Sequence, residues 1–264
     1  MNPLRLMLRA LPEGYLKSIV KNISSYSMNM MPRSVDSVMV NGISIKMHTD
    51  GVFDNKLLAK EVSGYNIYYS LQKGDTVIDA GAYTGLYTAY AAKKVGPKGK
   101  VIAYEPDPYN IIMLKKNIKL NKLSNVTIIQ KGLFDKNASL PFDIQSIGSN
   151  IVTINHAFHN RKTLNKIDVA PLDKELMRLG HKIINFIKMD IEGAEIEAMK
   201  GAITTIKKNK IINLAIASYH VVNGEKTYIF LEEFFKKLNM NTKTEENGQL
   251  ITYSGYKKLS KVNL

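Results

Sequence analysis

Thr76-Val77-Ile78-Asp79-Ala80-Gly81-Ala82-Tyr83-Thr84-Gly85 and, one helix further on, Val101-Ile102-Ala103-Tyr104-Glu105 decide the fold. Each begins as a short apolar run suited to a strand buried on both faces, and the segment between them, from Thr84 to Lys94, reads as a helix. That is a strand-turn-helix-strand unit of the nucleotide-binding kind. Gly81 and Gly85 let the backbone turn tightly and approach a ligand, and Glu105 at the tip of the second strand can accept hydrogen bonds from both hydroxyls of a ribose. The turn has only these two glycines and lacks the third glycine of a dinucleotide fingerprint. A ligand with an adenosine and a short charged tail fits better, which points to S-adenosyl-L-methionine.

The rhythm spreads outward from this unit. After a helical pattern from Asp54 to Leu71, strands are expected at 76–80, 100–104, 125–130, 183–189 and 210–217, with helices at 84–94, 108–120 and 192–208. Alternation of this kind predicts a parallel sheet covered on both faces. Asn239 to Glu246 and Gln249 to Tyr256 flank Asn247-Gly248, so the sheet should end in an antiparallel hairpin. Residues 132–171 break the rhythm and read as an elaborated loop over the pocket. Residues 1–53 read as an N-terminal appendage: a helical, methionine-rich part to residue 37 (Met28, Met30, Met31), then a hairpin from Ser37 to Met47 turning at Asn41-Gly42. Residues 54–264 form the main domain.

Composition sets the bounds. A chain of 264 residues that is 45% hydrophobic can bury one large core. It contains no cysteine, which excludes disulfides, thiolate metal sites and a cysteine nucleophile and suits a reducing, cytoplasmic setting. No apolar stretch approaches the roughly 20 residues of a membrane-spanning helix, and Arg5 and Arg9 interrupt the apolar N-terminus before a signal core forms. The formal charge of +14 invites a polyanion partner, but the lysines are scattered along helices with no interleaved aromatic stacking motif. Nucleic acid is therefore disfavoured, and peripheral contact with a membrane surface stays open.

A second motif narrows the reading: Phe186-Ile187-Lys188-Met189-Asp190-Ile191-Glu192-Gly193-Ala194-Glu195. Together with Val77 to Gly85 and Tyr104-Glu105-Pro106-Asp107-Pro108-Tyr109-Asn110, it resembles the FkbM-type family of class I S-adenosylmethionine-dependent methyltransferases. Leu114, Asn117, Asn121 and Val169 to Asp173 echo further elements of that family, and the resemblance spans roughly residues 55 to 222. It implies a Rossmann-like, seven-stranded, mostly parallel sheet and methylation of a small-molecule or glycan hydroxyl. In two places the chain departs from the family: Tyr83 stands at a usual asparagine, and Ser218 stands at a usual glutamate two residues before His220.

The cofactor contacts expected from position and resemblance are Asp79, Gly81, Tyr83, Thr84, Gly85, Glu105, Pro106, Gly132, Leu133 and Asp190. Asp79 can hold the cofactor's amino group or brace the loop by accepting backbone hydrogens. Gly132 and Leu133 are placed to meet the adenine, with Asp135 a possible partner for its amino group. At the reactive centre Asp190, Glu192 and His220 are the candidates, with Glu195 on the following helix. Helix capping and the macrodipole explain acids there equally well. Carboxylates with one imidazole also suit magnesium or manganese, although the sequence does not demand a metal. The alternatives are an RNA methyltransferase and a non-catalytic cofactor-binding or membrane-surface protein. The residues after the strand at 183–189 lack the proline-containing loop that grips a flipped base.

Overall fold

The computed structural model describes residues 34–49, 54–143, 150–151 and 165–262. The expected helix and methionine cluster of residues 1–33 lie outside them. The helical part is expected to run to residue 37, but Ser34 to Ser37 belong to the first strand.

Strands β1 (Ser34–Val40) and β2 (Ile43–Thr49) pair antiparallel through Asn41 and Gly42, whose positive φ values of 46° and 76° match the twist of a two-residue turn. Helix α1 (Asn55–Gly64) starts on Asp54, whose carboxylate accepts the Lys56 and Leu57 amides. Then come β3 (Thr76–Ala80), α2 (Leu86–Val95), β4 (Lys100–Tyr104), α3 (Pro108–Leu120) and β5 (Val126–Ile129). The Asp107 cap and Pro108 at the first helical position account for the sharp start of α3.

The described parts of the 132–171 segment form a small sheet rather than a loop. Its strands β6 (Gly132–Leu133), β7 (Ala138–Asp143), β8 (Asn150–Ile151) and β9 (Asn165–Ala170) lie in the order β6-β9-β7-β8. Phe134, Phe142, Ile167 and Val169 give it an apolar cluster that also holds Ala194. The main sheet resumes after α4 (Leu172–Leu179) with β10 (Phe186–Met189), α5 (Glu195–Lys200), α6 (Ile203–Lys208) and β11 (Asn213–Ala217). The small ribbon β12 (Val221–Val222) and β13 (Glu225–Lys226), helix α7 (Thr227–Lys237), β14 (Asn241–Glu246) and β15 (Leu250–Gly255) complete the described elements.

The seven-stranded sheet runs β14-β15-β11-β10-β3-β4-β5. Strand β15 lies antiparallel between β11 and β14, and the remaining pairs are parallel. This is the doubly wound, Rossmann-like sheet with the expected terminal hairpin. Order reverses at β3, which has β4 on one side and β10 on the other, so a crevice opens beyond the carboxyl ends of β3 and β10. Alternate side chains feed two cores. Val77, Val101, Ala103 and Phe186 pack toward α2 and α3, while Ile78, Ile102, Ile187 and Met189 pack toward α4 to α7.

The hairpin is less of an appendage than its sequence suggests. Val38, Val40 and Ile45 are almost fully buried and join the core around Ala89, Tyr90 and Leu114. Two asparagines four residues apart, Asn117 in the last turn of α3 and Asn121 as its C-cap, dock the hairpin's open edge. Asn117 Oδ1 accepts the His48 amide at 2.9 Å, and Asn121 Oδ1 accepts the Lys46 amide at 3.0 Å while its Nδ2 donates to the Lys46 carbonyl. These side chains take the place of a neighbouring strand. Asn117 Nδ2 also donates to the Thr84 carbonyl at 2.8 Å, so one buried amide ties the hairpin to the glycine turn. No helix among the described residues is long and apolar enough to cross a membrane.

Asn117→Ala should leave the His48 amide and the Thr84 carbonyl without this partner, at a cost of about 1 to 3 kcal/mol. Thermal denaturation should show a melting temperature lower by several degrees, with Asn121→Ala, at a more exposed position, costing less. An unchanged melting temperature in Asn117→Ala would remove this amide from the account of how the hairpin is held.

Candidate functional site

Lys188 interrupts an apolar strand, and its partner is fixed by register. Residues 188 and 79 are paired across β10 and β3, and both point to the α2 and α3 side of the sheet. The Lys188 ammonium lies 3.1 Å from Asp79 Oδ1 and donates to the Gly81 carbonyl at 2.7 Å. The rings of Tyr65 and Tyr87 stand 5.5 and 5.8 Å from it. Asp79 Oδ2 accepts the Thr88 hydroxyl at 2.5 Å. Asp79 is fully buried and committed to Lys188 and Thr88. These partners are side chains, and among the described residues no backbone amide of the turn donates to it, in contrast to the loop-bracing role expected from the sequence.

Beyond the strand ends, the two loops press together. Gly81 has φ 76°, and a Cβ there would lie 1.9 Å from the Asp190 carbonyl oxygen. The glycine's close approach is therefore to the backbone after β10. Tyr83 in one loop and Glu192 in the other are held at φ 50° and 56°, a costly conformation for residues with side chains. Gly85 begins α2, Thr84 offers its carbonyl to Asn117, and Pro106 is partly exposed beside Glu105.

Glu105 ends β4 and reaches back to the glycine turn. Its Oε2 accepts the Tyr83 amide at 2.8 Å, and its Oε1 accepts the Asp107 amide at 3.0 Å and Asn110 Nδ2 at 3.2 Å. A carboxylate has about four acceptor positions, so one on Oε2 remains for a hydroxyl donor. Burial pushes the Glu105 carboxyl up to about 7, although its three N–H donors favour the charged form. Gly132 is half-buried in β6, and Leu133 is 2% exposed in the apolar core, so its side chain is committed to packing. Asp135 is exposed.

Asp190, Glu192 and His220 do meet. His220, just beyond β11, has a side chain only 9% exposed, with Nε2 at 3.8 Å from Asp190 Oδ1 and 3.3 Å from Glu192 Oε2. Its Nδ1 lies 3.0 Å from Glu195 Oε1, an oxygen that also accepts the Ile191 and Gly193 amides. Burial alone would lower the imidazole pKa, but the charges of Glu195 and Glu192 and their contacts hold it up at about 10. The carboxylate oxygens of Asp190 and Glu192 and an imidazole nitrogen all lie within 4.8 Å of one another.

Four side chains belong here that sequence reasoning did not assign: Lys188, Tyr65, Tyr219 and Gln249. Tyr65 donates its hydroxyl to Asp190 Oδ2 at 2.9 Å and accepts from Gln249, while Tyr219 donates to Asp190 Oδ1 at 3.4 Å. A signal existed for Lys188, a charge at the centre of an apolar strand. None existed for Tyr65 or Gln249, which reach Asp190 from distant segments.

Residues 79–253 match the family described as "Methyltransferase FkbM domain". Among curated proteins the chain is 27% identical over 143 residues to "Methyltransferase 1" of Beauveria bassiana, a match covering 47% of this chain and 57% of that protein. It is 29% identical over 161 residues to "Methyltransferase sdnD" of Sordaria araneosa, covering 50% of this chain and 62% of that one. The matches thus span less than two thirds of these relatives' length. Among solved structures, a putative rRNA methylase from Clostridium thermocellum aligns with a TM-score of 0.48 and 15% identity, over 78% of this chain and 96% of that one.

Lys188→Met should destabilise the protein by about 3 to 5 kcal/mol, because it strands the Asp79 charge in the core. Adding Asp79→Asn should return part of that loss. Urea denaturation of the single and double variants measures the coupling, and strictly additive losses would show that the two groups do not depend on one another.

Proposed function

The chain belongs to the FkbM methyltransferase family, and from that premise we propose that it transfers a methyl group from S-adenosyl-L-methionine to a hydroxyl of a small molecule or glycan. The observation that supports this reading best is the convergence at one crevice of the glycine turn, the buried Glu105 carboxylate and the group formed by Asp190, Glu192 and His220.

The residues present fit the cofactor. The Gly81 to Gly85 turn and the spare acceptor position on Glu105 suit an adenosine, with the ribose hydroxyl donating to the carboxylate. Asp190 lies on the other side of Gly81, where a short tail from the adenosine would run. S-adenosylmethionine supplies a methyl group that is already electrophilic on a sulfonium. What this chain adds is alignment and a place for a proton. The acceptor hydroxyl gives its proton to a carboxylate of the Asp190 and Glu192 pair. With the cofactor bound, the new O–C bond would form as the C–S bond broke, leaving the electron pair on sulfur. Tyr65 and Tyr219 hold Asp190 in orientation through its two oxygens.

An RNA acceptor suits the site poorly. Three carboxylates, those of Asp190, Glu192 and Glu195, surround His220, and a phosphate backbone brought close to them would meet like charge.

Calorimetry with the demethylated product, S-adenosylhomocysteine, tests the cofactor assignment. Glu105 accepts a hydroxyl hydrogen only as strongly as its ionised fraction allows. With its acid form persisting up to about 7, affinity should fall about tenfold as the pH is lowered from 8 to 6. Glu105→Gln should bind more weakly and lose that dependence. A pH-independent wild type would exclude Glu105 from the contact, and absence of product binding would sink the transferase reading.

Asp190→Asn keeps the shape and removes the charge. Turnover with a hydroxyl acceptor should fall by about 10²-fold or more. Such acceptors can be found by asking where label from S-adenosylmethionine goes in a fractionated extract. Undiminished turnover in the variant would reduce Asp190 to a strand-end brace.

A further inference from the structure

We propose that Asp190, Glu192 and His220 form a binding site for one divalent cation of the magnesium or manganese kind, with Glu195 as the group that orients the imidazole. The site stands on geometry, while its use in catalysis rests on the hydroxyl-methylation reading above.

The first observation is the spacing. Nε2 of His220 is 3.3 Å from Glu192 Oε2 and 3.8 Å from Asp190 Oδ1. Adjacent ligands of an octahedral ion with bonds of about 2.1 Å stand about 3 Å apart, so small side-chain rotations close the three atoms onto one face of the octahedron. The opposite face is left for water and for oxygens of an acceptor. The second observation is independent of the acids. His220 has a side chain more than nine-tenths buried, and neither ring nitrogen makes a hydrogen bond of good geometry among the described residues. Its Nε2 faces the two carboxylates, where an arriving metal ion would displace its proton and take the lone pair. The third is Glu195, which is fully buried and held by the Ile191 and Gly193 amides with Oε1 3.0 Å from Nδ1. The negative charge of a carboxylate this close favours the proton on Nδ1 over Nε2, which leaves Nε2 for a metal, as in metal-ligating histidines backed by an acid.

The donor set suits a hard cation: three carboxylates, those of Asp190, Glu192 and Glu195, face one imidazole. Two carboxylate oxygens with one imidazole suit manganese or magnesium better than a thiolate-preferring metal, and the chain has no cysteine. An acceptor hydroxyl beside the ion would lose its proton more readily to a carboxylate oxygen of the Asp190 and Glu192 pair, and its oxygen would then take the methyl carbon as the C–S bond breaks toward sulfur.

Manganese is the probe. Chelator-treated protein should take up one equivalent of Mn²⁺ saturably by calorimetry, and the bound ion's electron spin echo should carry modulation from an imidazole nitrogen. Glu192→Gln and His220→Ala should each weaken binding tenfold or more, the second also erasing the modulation, and Glu195→Gln should weaken it about tenfold. Glu192 is partly exposed, so its variant guards against a misfolded His220→Ala. S-adenosylhomocysteine titrated into the same preparations reports whether the cofactor crevice is intact. Protein that binds this product but no manganese would overturn the cation site and leave the transferase reading standing. Manganese bound equally well by Glu192→Gln and His220→Ala would also overturn it, whereas manganese bound without any product affinity would keep the site and sink the transferase reading.

Discussion

The contact on which the rest of this structure depends is the ion pair between Lys188 and Asp79 in the middle of the sheet. A charged side chain in a buried strand costs several kcal/mol unless it is paired, and here the pair forms only when residue 188 stands beside residue 79. Slipping β10 by one residue would turn Lys188 toward the opposite core, among Ile187 and Met189's neighbours. The pair thus locks the two strands at the switch point. That register brings Gly81 against the Asp190 carbonyl, where no side chain fits, and the same ammonium holds the Gly81 carbonyl. The crevice then has one wall from each strand: the glycine turn with Glu105, and the acids with His220.

Much of this could be read from the chain because the signals were local. Strands at Thr76–Ala80 and Lys100–Tyr104 and the helix Pro108–Leu120 fall where the apolar runs and their alternation placed them. What escaped depends on contacts between distant segments. The helix expected over 192–208 is broken into α5 and α6 around Gly201, where a Cβ would lie 2.1 Å from the Phe134 carbonyl oxygen. The intruding backbone belongs to the 132–171 segment, whose strands pair across intervening stretches of chain and so show no continuous period. Asn117 and Asn121 stand out in sequence as a spaced pair, but their purpose is visible only once the edge of β2 lies beside them.

Ser218 shows why a missing acid need not mean missing chemistry. Its side chain is fully buried and bonded to Thr252 and the Leu250 carbonyl, on the side of β11 that packs against β15. The carboxylates near His220 come instead from the loop after β10, where Glu192 sits in a left-handed conformation and Glu195 turns back to cap the Ile191 and Gly193 amides. The strain at Glu192 is the cost of pointing its side chain at the imidazole. The Ile191 and Ala194 side chains pack on the insertion's apolar cluster, so the segment that flanks the site also supports the loop that carries its acids.

The overall charge of +14 and the character of the crevice have opposite signs, and distance decides which one a partner feels. Lys115, Lys119, Lys122, Lys207, Lys208, Lys236 and Lys237 are exposed on helices and helix ends, and salt screens such charges beyond about 8 to 10 Å. Within the crevice the acids lie 3.0 to 3.8 Å from the imidazole in a poorly solvated space, where screening is weak. The lysines therefore act on a charged partner only near the surface and at low salt, whereas the field inside the crevice is set by the carboxylates and the imidazole.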